Sequence, residues 1–135
     1  MSSLLPRAAR YLLSLSLAIL CLVSACKKQT NETVVDAFAQ VNPEAKYNNG
    51  VYNIQFSLQE YPYDEVTVNI SESKNNFHKN TNLIQIKAYQ ASNGRYGVFI
   101  NTLAAARTYY YQIRVKDSAA GKLVNSDIYS FTTNP

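Results

Sequence analysis

The sequence predicts an all-β domain, one sandwich of seven antiparallel strands, preceded by a short leader. Three observations carry that expectation. Several segments alternate apolar and polar residues with period two, clusters of Asn, Asp, Gly, Ser and Pro separate them, and no helical stripe of useful length follows Thr33. The 135 residues have room for one domain with short appendages. A composition that is 47% hydrophobic and 16% charged, with 11 Tyr and no Trp, belongs to a folded β-rich chain and excludes a disordered one.

Residues 1–25 have the three parts of an export signal: a cationic start with Arg7 and Arg10, an apolar run over residues 11–23, and the small pair Ser24 and Ala25. The run is shorter than the ~20 apolar residues a bilayer-spanning helix needs. Val23-Ser24-Ala25-Cys26 resembles the lipobox of bacterial lipoproteins, in which an aliphatic residue and two small ones precede a cysteine. That resemblance implies cleavage before Cys26, a diacylglycerol on its thiol and acylation of the new amino group. Several acyl chains hold where one is marginal, at ~0.8 kcal/mol per buried CH₂. Cys21 follows the large Leu20 and fits a small hydrophobe of the apolar core. Residues 26–33 are polar and aperiodic and read as a tether. Lys27 stands where Asp would mark inner-membrane retention in the best-known bacterial systems, so the expected location is the outer membrane, facing periplasm or exterior.

The body, residues 34–135, supplies the strands. The clearest is 107–116, where Tyr109, Tyr111, Ile113 and Val115 share one face and Thr108, Tyr110, Gln112, Arg114 and Lys116 the other. Tyr52, Ile54, Phe56 and Leu58 alternate in the same way, as do Val66, Val68 and Ile70, then Tyr96, Val98 and Ile100. Residues 82–90 read as a strand through Ile84, Ile86 and Ala88, and residues 125–133 through Tyr129 and Phe131. Residues 34–41 are the remaining candidate, although Val34, Phe38 and Val41 also match helical spacing. Turn chemistry at Asn48-Asn49-Gly50, Tyr61-Pro62-Tyr63-Asp64, Ser92-Asn93-Gly94 and residues 118–121 divides the segments.

Leu103 followed six residues later by Tyr109 is similar to the corner motif of fibronectin type III domains, and Tyr111, Ile113, Val115 and the closing Ser126, Phe131, Thr132 and Thr133 resemble that family's last two strands. The resemblance implies an immunoglobulin-like sandwich over residues 34–135. It also implies that the Tyr109 hydroxyl bonds back to the backbone before it. Ala105 replaces the family's usual Pro, and Phe56 stands at the site of its frequent Trp. A jelly-roll-like or transthyretin-like sandwich is the alternative fold.

Charge argues against nucleic acid. The net +4 includes Arg7 and Arg10 of the leader; beyond residue 25 there are eleven bases against nine acids, spread along the chain with no long basic run. Catalytic chemistry has little to build on. His78 is the single histidine, in a polar loop, with no Cys beside it and no Gly-x-Ser-x-Gly elbow, so no nucleophile–base pair, zinc site or cofactor is expected. Glu60, Asp64 and Glu65 cluster but lack the Asp-x-Asp-x-Asp spacing of a calcium loop.

A non-enzymatic binding module is therefore the expectation, with an envelope protein or a glycan as its partner. In the fibronectin type III layout, loops 59–65 and 117–122 share one end. That end would gather Tyr61, Tyr63, Asp64, Asp117 and Lys122, flat aromatic faces beside hydrogen-bonding groups. The competing reading has Tyr61 and Tyr63 merely packing the loop; outward Tyr89 and Tyr110 carry the same two readings. A structural subunit pairing through a sheet edge, with residues 82–90 and 125–133 as candidates, is the alternative role.

Overall fold

The computed structural model describes residues 36–117 and 121–135; the leader, the lipobox with Cys26 and the tether lie outside the described residues. Its elements are β1 (Glu44–Asn48), β2 (Val51–Ser57), β3 (Tyr63–Ser71), α1 (Asn75–Lys79), β4 (Ile84–Lys87), β5 (Tyr89–Ser92), β6 (Arg95–Ile100), β7 (Thr108–Asp117) and β8 (Leu123–Thr132). They make two antiparallel four-stranded sheets, ordered β1-β2-β6-β5 and β4-β3-β7-β8. The all-β, two-sheet architecture is as expected. The strand count is eight rather than seven.

Two elements account for the difference. Residues 36–41 form a turn and not a strand, because the Asp36 carboxylate accepts the Phe38 N–H at 3.1 Å and bonds from Ala39 N to Asp36 O and from Val41 N to Phe38 O close the chain on itself. The first strand is instead β1, joined to β2 by Asn49 and Gly50 at φ +49° and +84°. A two-residue hairpin with both φ positive is the primed turn that the Asn-Gly pair favours. The expected strand at 82–90 divides at Ala88: β4 pairs with β3, and β5 crosses to the other sheet to pair with β6. Alternation reports which side a residue faces, not which partner its strand has, so this switch leaves no trace in the pattern.

The core lies between the sheets. Ile54, Val68, Ile70 and Ile113 are fully shielded from solvent, with Tyr52, Phe56, Val98, Ile100, Tyr111 and Val115 beside them. Each comes from the inward parity of its strand, which is the alternation the sequence shows. Phe131 supplies the aromatic bulk of the chain's C-terminal end, with its ring 5.3 Å from Tyr52, 6.1 Å from Tyr109 and 5.9 Å from Tyr111. Burial pushes the Tyr111 hydroxyl up to about 12.

Between β6 and β7 the chain turns a tight corner. Tyr109 Oη accepts the Ala104 N–H at 3.0 Å and donates to Glu72 Oε1 at 3.3 Å. Buried Thr133 accepts the Arg107 N–H at 2.8 Å and donates to Ala104 O at 2.7 Å. Ala106 holds φ +52° inside this corner, a left-handed conformation that costs a side-chain-bearing residue about 1 kcal/mol.

The outer faces of the two sheets differ. Over the β4-β3-β7-β8 sheet, the α1 segment folds back: Asn76 Nδ2 donates to Ser71 Oγ at 2.7 Å, Lys74 Nζ sits 5.4 Å from the Tyr110 ring centre, and Arg114 donates to Asn80 and Asn125 at 3.2 and 2.9 Å. Thr67, Asn69 and Ser71 are buried there although they point away from the core. Nothing comparable covers the β1-β2-β6-β5 sheet among the described residues, where Glu44, Lys46, Gln55, Arg95 and Phe99 remain exposed.

Candidate functional site

Two surfaces present aromatic rings with polar neighbours. At the loop end, the turn between β2 and β3 meets the last residue of β7, as Tyr61 Oη donates to Asp117 Oδ1 at 3.2 Å. The Tyr61 and Tyr63 rings are 5.4 Å apart, and Tyr63 Oη donates to Gln59 O at 3.0 Å. Partial burial, with Tyr96, Asp117, Tyr61 and Asp36 adding negative potential, raises the Tyr63 hydroxyl to about 12. Lys122 receives the Asp117 N–H on its carbonyl at 3.0 Å, while its side chain and Asp64 are exposed. The structure thus joins Tyr61, Tyr63 and Asp117, holds Lys122 through its backbone, and leaves Asp64 at the rim. A hollow of about 310 Å³ beside this loop is bounded by Glu60, Tyr61, Pro62, Asn93 and Tyr96. Of the corner pair, Leu103 packs against the core and Tyr109 is buried. His78 lies exposed on α1. Among the described residues no three His, Cys, Asp or Glu side chains gather as a metal site, and no helix is long and apolar enough to cross a membrane.

The second surface is the open sheet face, and cross-strand register builds it. Gly97 of β6 lies opposite Tyr89 of β5, and Phe99 opposite Asn53 of β2. Without a side chain at Gly97 the Tyr89 ring lies down on the strand, so close that a Cβ there would meet its hydroxyl at 2.6 Å and its Cζ at 2.7 Å. The ring then stacks on Phe99, with centres 5.0 Å apart and planes 10° from parallel, and its hydroxyl reaches Asn53 Oδ1 at 3.5 Å. Phe99 nevertheless stays 60% exposed in an interior strand. A large apolar side chain in that position is the informative kind of exposure.

Tyr89 was legible as an outward tyrosine. Phe99 was missed, although its parity gave a signal: in the run Tyr96, Gly97, Val98, Phe99, Ile100 it falls on the polar side of the alternation. Only the register shows that the two rings meet.

Phe99 borders a hollow of about 390 Å³ formed with Asn48, Val51, Asn53 and Asn101, which Tyr89 does not line. That volume is at the lower end of the ~300–1,000 Å³ typical of small-molecule sites. On the Tyr89 side a further hollow, about 320 Å³, is bounded by Glu44, Lys46, Gln55 and Arg95. Glu44 and Lys46 pair with each other at 3.0 Å.

No protein-family model matches the chain, and a comparison with curated proteins finds no match. Among solved structures, the chain is similar to one titled "Crystal structure of Br derivative BhCBM56", at 12% identity, with a TM-score of 0.49, over 69% of this chain and 91% of that one. A likeness this slight carries nothing about ligand or activity.

Proposed function

We propose that this chain is a lipid-anchored, non-enzymatic binding module of the bacterial cell envelope, a fibronectin type III-like sandwich held at the outer membrane through Cys26 and recognising a glycan or a protein. Strand order supports the finer fold: β1-β2-β6-β5 opposite β3-β7-β8 follows the constant-type immunoglobulin arrangement, with β4 added beside β3. The bond from Ala104 N–H to Tyr109 Oη supports it further, because a tyrosine at the start of the penultimate strand that reaches back to backbone is the corner of such domains. The lipobox at residues 23–26 supports the anchor.

The observation that carries the binding half of the reading is Phe99, held open to solvent on a rigid sheet by its stack with Tyr89. Preorganised aromatic surface lowers the entropy a binder loses on engaging its ligand. Tyr61, Tyr63, Asp64, Asp117 and Lys122 make the alternative contact surface on the same domain. Intact mass of the membrane-extracted chain tests the tether: the expected mass is residues 26–135 plus acyl chains, and a Cys26→Ala chain that kept the same lipid mass would overturn it.

A second reading, an accessory subunit of an outer-membrane complex, draws support from β8, a ten-residue strand at a sheet edge with one charged residue, Asp127. A bulge limits that edge. Pairing jumps from Gln112 opposite Ile128 to Arg114 opposite Asn125, and Ser126 Oγ fills the gap by accepting the Ile113 N–H at 2.9 Å. Stoichiometric partners in mild detergent extracts would favour this role, and a lone monomer would count against it.

A further inference from the structure

We infer that the open face of the β1-β2-β6-β5 sheet is a binding site for a neutral glycan, with one pyranose ring lying on Phe99 and its hydroxyls meeting the amides of Asn48, Asn53 and Asn101. The inference deepens the binding-module reading and rests on it.

The chemistry of the hollow selects the ligand. Its boundary is one aromatic ring, one aliphatic side chain and three asparagines, with no charged group. An anion or a cation would leave water for a site that offers no counter-charge, which is unfavourable. A neutral pyranose fits both halves of the boundary: a face of C–H bonds against the ring, and a rim of hydroxyls that both donate and accept, as a carboxamide does. Asn48 and Asn101 make no side-chain hydrogen bond within the described residues, so their amides are available to a ligand. Asn53 already accepts weakly from Tyr89, which leaves its NH₂ group as a donor.

Size argues in the same direction. A stable protein partner covers ~800 Å² on each side around an apolar centre. The apolar surface of this face is exposed Phe99 with half-buried Val51 and Tyr89, and a whole aromatic side chain buries only ~150–250 Å². The neighbouring surface toward β1 is polar, with Glu44 and Lys46 neutralising each other. The apolar footprint is that of one sugar ring. The strand rows extend it in one direction, from Asn101 past Phe99 and Tyr89 toward Gln55 and Arg95, a length along which a chain of sugars could lie.

Tyr89 is a positioning residue in this site. It lies over Gly97 and supports one face of Phe99, so the ring the sugar meets is fixed before binding. A side chain at Gly97 would lift Tyr89 and release Phe99 without touching the hollow.

Affinity gel electrophoresis of the detergent-extracted full chain provides the test, using laminarin, mixed-linkage barley glucan, xyloglucan, dextran and mannan as neutral polymers and polygalacturonate as an anionic one. At least one neutral polymer is expected to retard the chain, polygalacturonate is not, and Phe99→Ala is expected to weaken the retardation about tenfold or more while the thermal midpoint stays within a few degrees. Gly97→Ala is expected to weaken it less. Absence of retardation by every neutral polymer, or retardation unchanged by Phe99→Ala, overturns the glycan site. To separate that failure from failure of the binding-module reading, the same variant is compared in co-purification from native membranes. A stoichiometric protein partner lost with Phe99→Ala would keep the module and discard the glycan; no Phe99-dependent partner and no retardation would discard both.

Discussion

The two sheets have the same strand number and the same alternating inward faces, yet their outer faces have opposite fates. On β3 the outward residues Thr67, Asn69 and Ser71 are small and polar and lie buried, and Asn76 of the α1 segment bonds Ser71. On β6 the outward positions are Arg95, Gly97 and Phe99; the Tyr89 ring of β5 lies over Gly97, and Arg95 and Phe99 stay exposed. On the covered face Ser71 and Thr67 are buried with hydrogen-bond partners and the Asn69 Nδ2 is buried without one, while on the open face an aromatic residue stays exposed. The first arrangement stabilises the fold. The second contributes little to the fold, which is why it points to a ligand.

Perturbations should therefore act on stability on one face and on binding on the other. The largest effect is expected from alkali, which acts on one tyrosine of the core and one at the loop end. Tyr111 and Tyr63 ionise near 12 in the fold and near 10 when unfolded, so the fold favours their neutral forms. That stabilisation is complete below pH 10 and is lost as the pH rises through 12. The urea midpoint should fall over that interval, and less steeply in Tyr111→Phe.

Next is Ser71→Ala on the covered face, which removes the acceptor that Asn76 and the Ser73 N–H use and should cost about 1–3 kcal/mol in urea unfolding without changing glycan retardation. Gln55→Ala on the open face, by contrast, should stay within about 0.5 kcal/mol. Equal costs at the two positions would break the comparison. The smallest effect is expected at the corner that neither face uses: Ala106→Gly relieves φ +52° and should leave stability unchanged or raise it by up to about 1 kcal/mol, read as a shift in thermal midpoint.

Legibility in the sequence followed burial. β2, β3, β6 and β7 stood out because each has a well-buried inward face, as with Ile54 and Val98 in two paired strands, whereas β8, with Tyr129 and Phe131 only half-buried, alternated less clearly. β1 did not, because an edge strand can form on a turn and a ladder alone; its inward residues are only Ala45 and a half-exposed Tyr47. The division of residues 82–90 and the five-residue helix α1 depend on partners far along the chain, such as Val66 O receiving the Ala88 N–H, and periodicity does not encode those. The loop-end residues were legible as an Ig-like loop pair, and Tyr61 does meet Asp117. The aromatic stack was not, since it needs Tyr89 and Gly97 in register, although a phenylalanine on the polar parity of β6 was visible throughout.

The most direct test of the account sets the two aromatic surfaces against each other: retardation of the full chain by the neutral polymer that binds it best, measured for Phe99→Ala and for the double variant Tyr61→Ala, Tyr63→Ala at matched thermal midpoints. Loss with Phe99→Ala and retention in the double variant is the predicted result. Retention with Phe99→Ala and loss in the double variant would place the site at the loop end and contradict the account.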